Sequence, residues 1–448
     1  MSRDKNIFIN IILSCGIKGL GMLLSLFLMP AYMNYFENQQ ILGLWFTLLS
    51  VLNWILTFDF GIGNGLRNNL VKAKAKKDIN AEKVLISTTY WLTLQFACIL
   101  FLGCTIAVIT INWNSFFNIP DNMVDIRILQ KAVFIILLGI VFQFIFKTIS
   151  SILLALHMPS ISNLVGLTSN IIILITVLSL KTVDDITNLI NLAYVYLLAS
   201  NLPLLVTSII VFSTIMKHAR PSFAAIDRSK SMVILKLGGG FFALQLLSLA
   251  MFNMKEFLIS CLSGPQYVVE FQVYNRIFNL IASIAWIGLI PIWSAVSEAY
   301  EKSDYSWIAS AYRRLKQFMI LIITSLILLI FIMQKLVNFW LGDKAININI
   351  MFSITFGTFC ALYIWWGIIA SFANGTGKIR TQLVMSFIGV VLNFTLSIIF
   401  VYLLNSWIGI IYANIISMLP YCIKEPFNIN KIIREGMTGQ DESEHQYT

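Results

Sequence analysis

Apolar runs of twenty residues and more recur along this 448-residue chain with few charges inside them. About 20 consecutive apolar residues is what a helix needs to cross the hydrocarbon core of a bilayer. No water is present there to satisfy backbone N–H and C=O groups, so a chain must close its own hydrogen bonds, as helices or as a sealed barrel. Barrel strands alternate over about ten residues, whereas these runs are longer and unbroken. Composition agrees, with 58% hydrophobic and 12% charged residues against about 25% charged in a soluble domain. The sequence therefore predicts an all-α integral membrane protein.

Polar breaks divide the runs into twelve predicted spans, near 8–33, 41–66, 84–111, 132–157, 161–180, 189–216, 237–263, 270–297, 317–337, 348–373, 381–404 and 408–423. With the N-terminus on the cytoplasmic side, the inner segments hold 22 Lys and Arg residues. The outer ones hold 5: Arg127, Lys131, Lys181, Lys335 and Lys344. Cytoplasmic loops carry such an excess, and an odd helix count would scramble it. The same asymmetry accounts for the net charge of +10, so no nucleic-acid partner is needed to explain it. The first run exceeds a signal-peptide core and lacks a cleavage site, which predicts a retained helix.

The predicted organisation is an N-terminal six-helix bundle over 1–216, a cytoplasmic linker over 217–236, a C-terminal six-helix bundle over 237–434 and a polar cytoplasmic tail over 435–448. Long basic inner loops are expected after spans 2 and 8, at 67–83 and 298–317, and short loops after spans 4 and 10. Six being even, such halves would be parallel repeats. Within the second basic loop, Trp307, Ile308, Ala311, Tyr312 and Leu315 recur at helical spacing behind Asp304, a potential cap. That pattern suits an amphipathic helix at the inner interface, or a solvated loop.

Away from the span ends, six charged residues fall inside the predicted spans: Lys18, Lys147, Lys255, Arg276, Asp59 and Glu256. Each costs roughly 2.5–3.5 kcal/mol at the centre of a membrane helix on insertion scales. Lys18, Asp59 and Lys147 share a depth of roughly 10–15 Å from the inner face. Glu256 and Arg276 lie at similar distances on either side of a turn, so antiparallel helices bring them to one level. Mutual ion pairs would fix helix packing. Four cations against two acids nevertheless leave positive charge over, which suits a wet cavity for anionic cargo. Lys18, Lys147, Lys255 and Arg276 are the candidate substrate-binding residues, and Asp59 and Glu256 the candidates for ion coupling or charge pairing.

Other chemistry is poorly represented. The six cysteines lie in apolar runs and the three histidines lack ligand spacing, so neither a disulfide framework nor a metal site is expected. Gly238, Gly239 and Gly240 lack the Lys-Ser/Thr of a phosphate loop. No cofactor and no enzymatic activity are expected.

The run Gly43-Leu44-Trp45, followed by Asp59-Phe60-Gly61-Ile62-Gly63-Asn64-Gly65-Leu66-Arg67-Asn68, closely resembles the bacterial O-antigen and polysaccharide flippases of the multidrug/oligosaccharidyl-lipid/polysaccharide exporter superfamily. Pro291-Ile292-Trp293-Ser294-Ala295-Val296-Ser297-Glu298-Ala299 looks like that family's counterpart in span 8. The resemblance implies two six-helix bundles around a central cavity of alternating access in the bacterial inner membrane. Its implied cargo is an oligosaccharide repeat unit on undecaprenyl pyrophosphate, with membrane lipids, a polysaccharide polymerase and a chain-length regulator as partners. Cavity cations would lower the cost of carrying pyrophosphate through a low-dielectric layer. A multidrug exporter of the same superfamily is the alternative, for which acids are expected to outnumber bases.

Overall fold

A computed structural model of the protein describes residues 3–57, 62–120, 123–156, 158–180, 182–229, 231 and 239–445. Every regular element among them is helical: α1 (Arg3–Tyr35), α2 (Gln39–Thr57), α3 (Ile62–Ala75), α4 (Ile79–Thr110), α5 (Trp113–Phe117), α6 (Ile126–Phe146), α7 (Thr148–Ala155), α8 (Pro159–Ser179), α9 (Asp185–Ser213), α10 (Gly239–Phe252), α11 (Lys255–Leu262), α12 (Gln266–Glu301), α13 (Tyr305–Leu341), α14 (Ile350–Thr376), α15 (Arg380–Leu404) and α16 (Gly409–His445), with short 3-10 turns between some of them. Among the described residues, nine helical stretches are long and apolar enough to cross a membrane. Expected spans 7, 8 and 12 fall on α10–α11, α12 and α16, outside those nine. The first of these is interrupted, and the other two carry polar residues such as Gln272, Arg276, Asn414 and Ser417.

Two compact units divide the chain: Met1–Leu246 with Gly264–Val269, and Leu247–Ser263 with Glu270–Thr448. In the first, α1 packs on α8, α6 on α9 and α4 on α6; in the second, α15 packs on α16 and α14 on α16. Outward faces are apolar, with Ile99, Leu102, Ile106 and Ile109 of α4 and Phe331 of α13 all exposed. Large exposed apolar surface marks a lipid-facing wall.

Where long basic loops were expected, the helices instead run on beyond the apolar stretch and meet at tight turns. Lys77 and Ser303 both adopt the left-handed conformation at φ 57°. Around Lys77, Asp78 N–H donates to Ala73 O and Lys77 N–H to Lys74 O, both at 3.1 Å. Around Ser303, Asp304 N–H donates to Ala299 O at 2.8 Å and Ser303 N–H to Tyr300 O at 3.1 Å. That pairing satisfies the last carbonyls of a helix. The next helix then starts at once, because Asp78 accepts from Ala81 N–H and Asp304 from Trp307 N–H, each at 2.9 Å.

The expected interfacial helix is accordingly the opening of the continuous 37-residue α13. Ile308 and Tyr312 are buried, and the Tyr312 ring stacks on Trp365 and meets Phe372 edge-on, both on α14. The apolar stripe thus faces protein, which satisfies it as well as lipid would. The start of the expected tail is likewise helical, as α16 continues to His445.

Two expected continuous spans are interrupted. Lys147 ends α6 before α7 begins, and Asn253 and Met254 separate α10 from α11. Part of the segment expected to be a linker is pinned to α4 of the first unit: Ser222 N–H donates to Ser87 Oγ and Asp227 N–H to Thr88 Oγ1, each at 3.0 Å. His218 Nε2 also lies 3.0 Å from Glu82 Oε2.

Candidate functional site

Asp59 lies outside the described residues, as do Phe60, Gly61 and Gly238. In the first unit Lys18 is exposed on α1. Lys147 is also exposed, and its ammonium approaches Leu56 O at the C-terminal end of α2 at 3.5 Å. The last carbonyls of a helix carry partial negative charge and attract cations. Lys147 therefore has a local structural partner that spacing along the sequence does not reveal.

The second unit holds the other three. Lys255 opens α11 and is 7% exposed. Among the described residues its ammonium rests on the face of Phe359, 4.2 Å from the ring centroid, an attraction between a cation and the ring's negative face. Phe359 stacks on Tyr363, which meets Phe252 edge-on at 5.0 Å and Trp286 at 5.4 Å. A buried cation is thus set in aromatic surroundings at a helix interruption. Glu256 Oε1 accepts from Gln272 Nε2 of α12 at 3.3 Å, and Arg276 follows one turn later on α12, half-buried. Lys255, Glu256 and Arg276 therefore belong to one neighbourhood of α11 and α12.

The interruption has a sequence cause. Asn393 of α15 reaches Met251 O, near the end of α10, at 3.5 Å, while its own Oδ1 accepts from Asn414 of α16 at 3.0 Å. Gly389 permits the approach, since a Cβ there would lie 2.7 Å from Ser417 O and 3.1 Å from the Met251 methyl. A carbonyl freed at a helix break inside a membrane needs such a donor.

Counting only charges within apolar runs missed further buried polar groups. Trp407 Nε1 donates to Glu270 Oε2 at 2.9 Å. Glu425 is 1% exposed, although it stands just past the last predicted span. Asn393 lay in plain view inside span 11, as an amide that an apolar run does not need. The motif residues have packing roles: Leu44 and Trp45 are fully buried, and Val296 is where a Cβ on Gly375 would collide, at 2.6 Å.

No protein-family model matches the chain. A Yersinia pseudotuberculosis protein named for O-antigen export is 22% identical over 342 residues, covering 75% of this chain and 76% of that protein. Among solved structures, an inward-facing multidrug-resistance MATE transporter of the MOP superfamily superposes with a TM-score of 0.73 at 15% identity, over 95% of this chain and 99% of its own. The lipid II flippase MurJ, in an inward closed conformation, gives 0.72 at 20% identity over 94% and 87%. With nine membrane-length helices and no strand among the described residues, the chain is a multi-pass membrane protein with the all-helical fold of these solved transporters.

Proposed function

We propose that this protein is a flippase that moves undecaprenyl-pyrophosphate-linked oligosaccharide repeat units, of O-antigen or another surface polysaccharide, from the cytoplasmic to the periplasmic leaflet of the bacterial inner membrane by alternating access. Twelve spans with both termini cytoplasmic, halves at 1–216 and 237–434 and a linker at 217–236 are part of this reading. A polysaccharide polymerase and a chain-length regulator are its downstream partners. The observation that carries it is Lys255, a buried cation seated on the Phe359 ring face next to Glu256 in sequence. A cation in that setting gains most from meeting an anion, and a pyrophosphate head group is one. Surplus positive charge within the spans and the similarity to a protein named for O-antigen export support the same cargo.

The test is complementation of a deletion strain with Lys18, Lys255 and Arg276 replaced singly by Ala and by Glu, reading surface polysaccharide alongside protein level. Lys255→Glu should lower polymer at least about tenfold, equivalent to about 1.4 kcal/mol, at normal protein abundance, with Lys255→Arg retaining part of it. Wild-type polymer in all the reversal variants would refute the anionic-cargo reading. A change confined to drug susceptibility would favour the multidrug exporter instead.

A further inference from the structure

The segment that follows α9, residues 217–229, folds back against the start of α4, and its contacts give it an orientation. His218 Nε2 lies 3.0 Å from Glu82 Oε2, and Ser222 N–H donates to Ser87 Oγ at 3.0 Å. The Phe223 ring then meets Trp91 edge-on, with centroids 6.3 Å apart. From there the chain returns, as Asp227 N–H donates to Thr88 Oγ1 at 3.0 Å. The segment thus climbs α4 from Glu82 to Trp91, roughly 13 Å of helix, and comes back. Phe223 is its tip, and Lys217, Arg220 and Arg228 stand on its two legs.

Beside the tip lies a cavity of about 180 Å³, walled by Trp91 and Leu94 of α4, Ile145 of α6, and Pro221, Phe223 and Ile226 of the segment. All of these residues belong to the first unit. An apolar cavity of about 150 Å³ holds a benzene molecule, so this one has room for a stretch of hydrocarbon chain. Leu94 is itself exposed, and the exposed face of α4 continues through Ile99 and Leu102. Phe223 is 79% exposed. A ring that open is poorly placed in water and well placed among acyl chains.

The exposed side chains on the legs are basic: Lys217, Arg220 and Arg228. Arg220 Nε donates to Phe212 O at 2.8 Å. That bond holds the guanidinium next in sequence to Pro221 of the cavity wall and leaves its terminal nitrogens for another acceptor. Lys83 of α4, half-buried, lies one turn before Ser87. Nearby acids are already engaged, Glu82 with His218, and Asp227 Oδ1 with the backbone N–H and the hydroxyl of Ser229. Cations at the level of Glu82 to Thr88 and an apolar recess at the level of Trp91 and Leu94 reproduce the order of an anionic phospholipid, head group then chain. Basic segments beside a membrane attract such lipids. We propose that residues 217–229 and α4 form a binding site for an anionic phospholipid, with Lys217, Arg220 and Arg228 on the phosphate and one acyl chain entering the cavity beside Trp91. Neither the cargo nor the direction of transport enters this proposal, so it and the flippase reading stand or fall separately.

Native mass spectrometry of the purified full-length protein, titrated with phosphatidylglycerol and in parallel with phosphatidylcholine, reads how tightly each lipid is retained. Phosphatidylglycerol should be retained in preference. Lys217→Gln and Arg220→Gln should each weaken its tightest binding step about fivefold, the effect of one basic residue at a membrane surface. Leu94→Trp fills the cavity, leaves the charges in place and should weaken the same step at least as much. Being at an exposed position, it reads the proposal even where a charge variant fails to fold. Equal retention of the two lipids, or retention unchanged in the charge variants or in Leu94→Trp, overturns the proposal. Equally strong competition by glycerol 3-phosphate also overturns it, by assigning the cations to a soluble anion.

Discussion

A methyl group added at Gly43 would fall 1.7 Å from Pro265 O, both residues belonging to the first unit. No side-chain movement relieves a clash with backbone, so Gly43→Ala must push helix and turn apart. Overpacking costs about 1–3 kcal/mol, and this contact is severe. Thermal unfolding in detergent should therefore show a clear loss of stability, and an unchanged transition would mean that the approach is looser than described. The neighbouring Trp45 is held by Tyr32 and Tyr196 in edge-to-face contact, which explains why a motif legible as family resemblance is physically a packing motif. Lys147 is different. Its ammonium sits beyond ordinary hydrogen-bond length from Leu56 O, so its contribution is electrostatic, about 0.3–1 kcal/mol for a cation at an exposed helix C-terminus. Lys147→Met should lower stability by that amount and Lys147→Arg should retain it. A Met variant as stable as wild type but unable to export polymer would return Lys147 to the cargo.

At the scale of elements, caps and interruptions decide where helices stop. Asp304 starts α13, and the backbone N–H of Trp307, then the Ser306 hydroxyl, hold its carboxyl below the usual aspartate range. A carboxyl depressed on folding stabilises above its unfolded value, about 3.9, and that contribution is lost as pH falls through the lower folded value. Hydrogen exchange at Trp307 and Ile308 should accelerate in Asp304→Ala at neutral pH, relative to exchange along the rest of α13. Acidification should remove the wild-type advantage; equal protection in both proteins at neutral pH would exclude the cap. The interruption between α10 and α11 rests on Asn393. Asn393→Leu deletes its bonds to Met251 O and Asn414, interactions that average about 0.6 kcal/mol and reach about 1.7 within membranes. A destabilisation within that range, measured by unfolding, is expected, and a neutral effect would assign the break to other residues.

For the whole molecule, two like turns at Lys77 and Ser303 carry the topology. Six predicted spans separate them, so single cysteines at those positions should both be labelled from the cytoplasmic side alone; labelling from opposite sides would sink the even count. Much of this was legible beforehand. Unbroken apolar runs specify helices because a bilayer leaves the backbone no other partner, and Asp304 announced its cap by spacing alone. What the sequence concealed was continuity: residues 298–317 read as a loop because polar composition was taken to end the helix, whereas a helix hydrogen-bonds within itself and continues through polar residues into water. The reverse error occurred inside the apolar runs, where the interruptions at Lys147 and at Asn253–Met254 fall at or beside charges that the sequence reading assigned to cargo or ion coupling and not to a helix break.

The one-dimensional pattern of apolar and basic residues thus determined that the chain lives in a membrane, that it crosses as helices, and which residues are costly there. It could do so because hydrophobic transfer and loop charge act residue by residue, without reference to neighbours. Tertiary structure alone decided what each costly residue meets: a ring face for Lys255, a helix end for Lys147, and the Gln272 amide for Glu256. Those partners come from other helices, and only packing brings them within the few ångströms over which such interactions act.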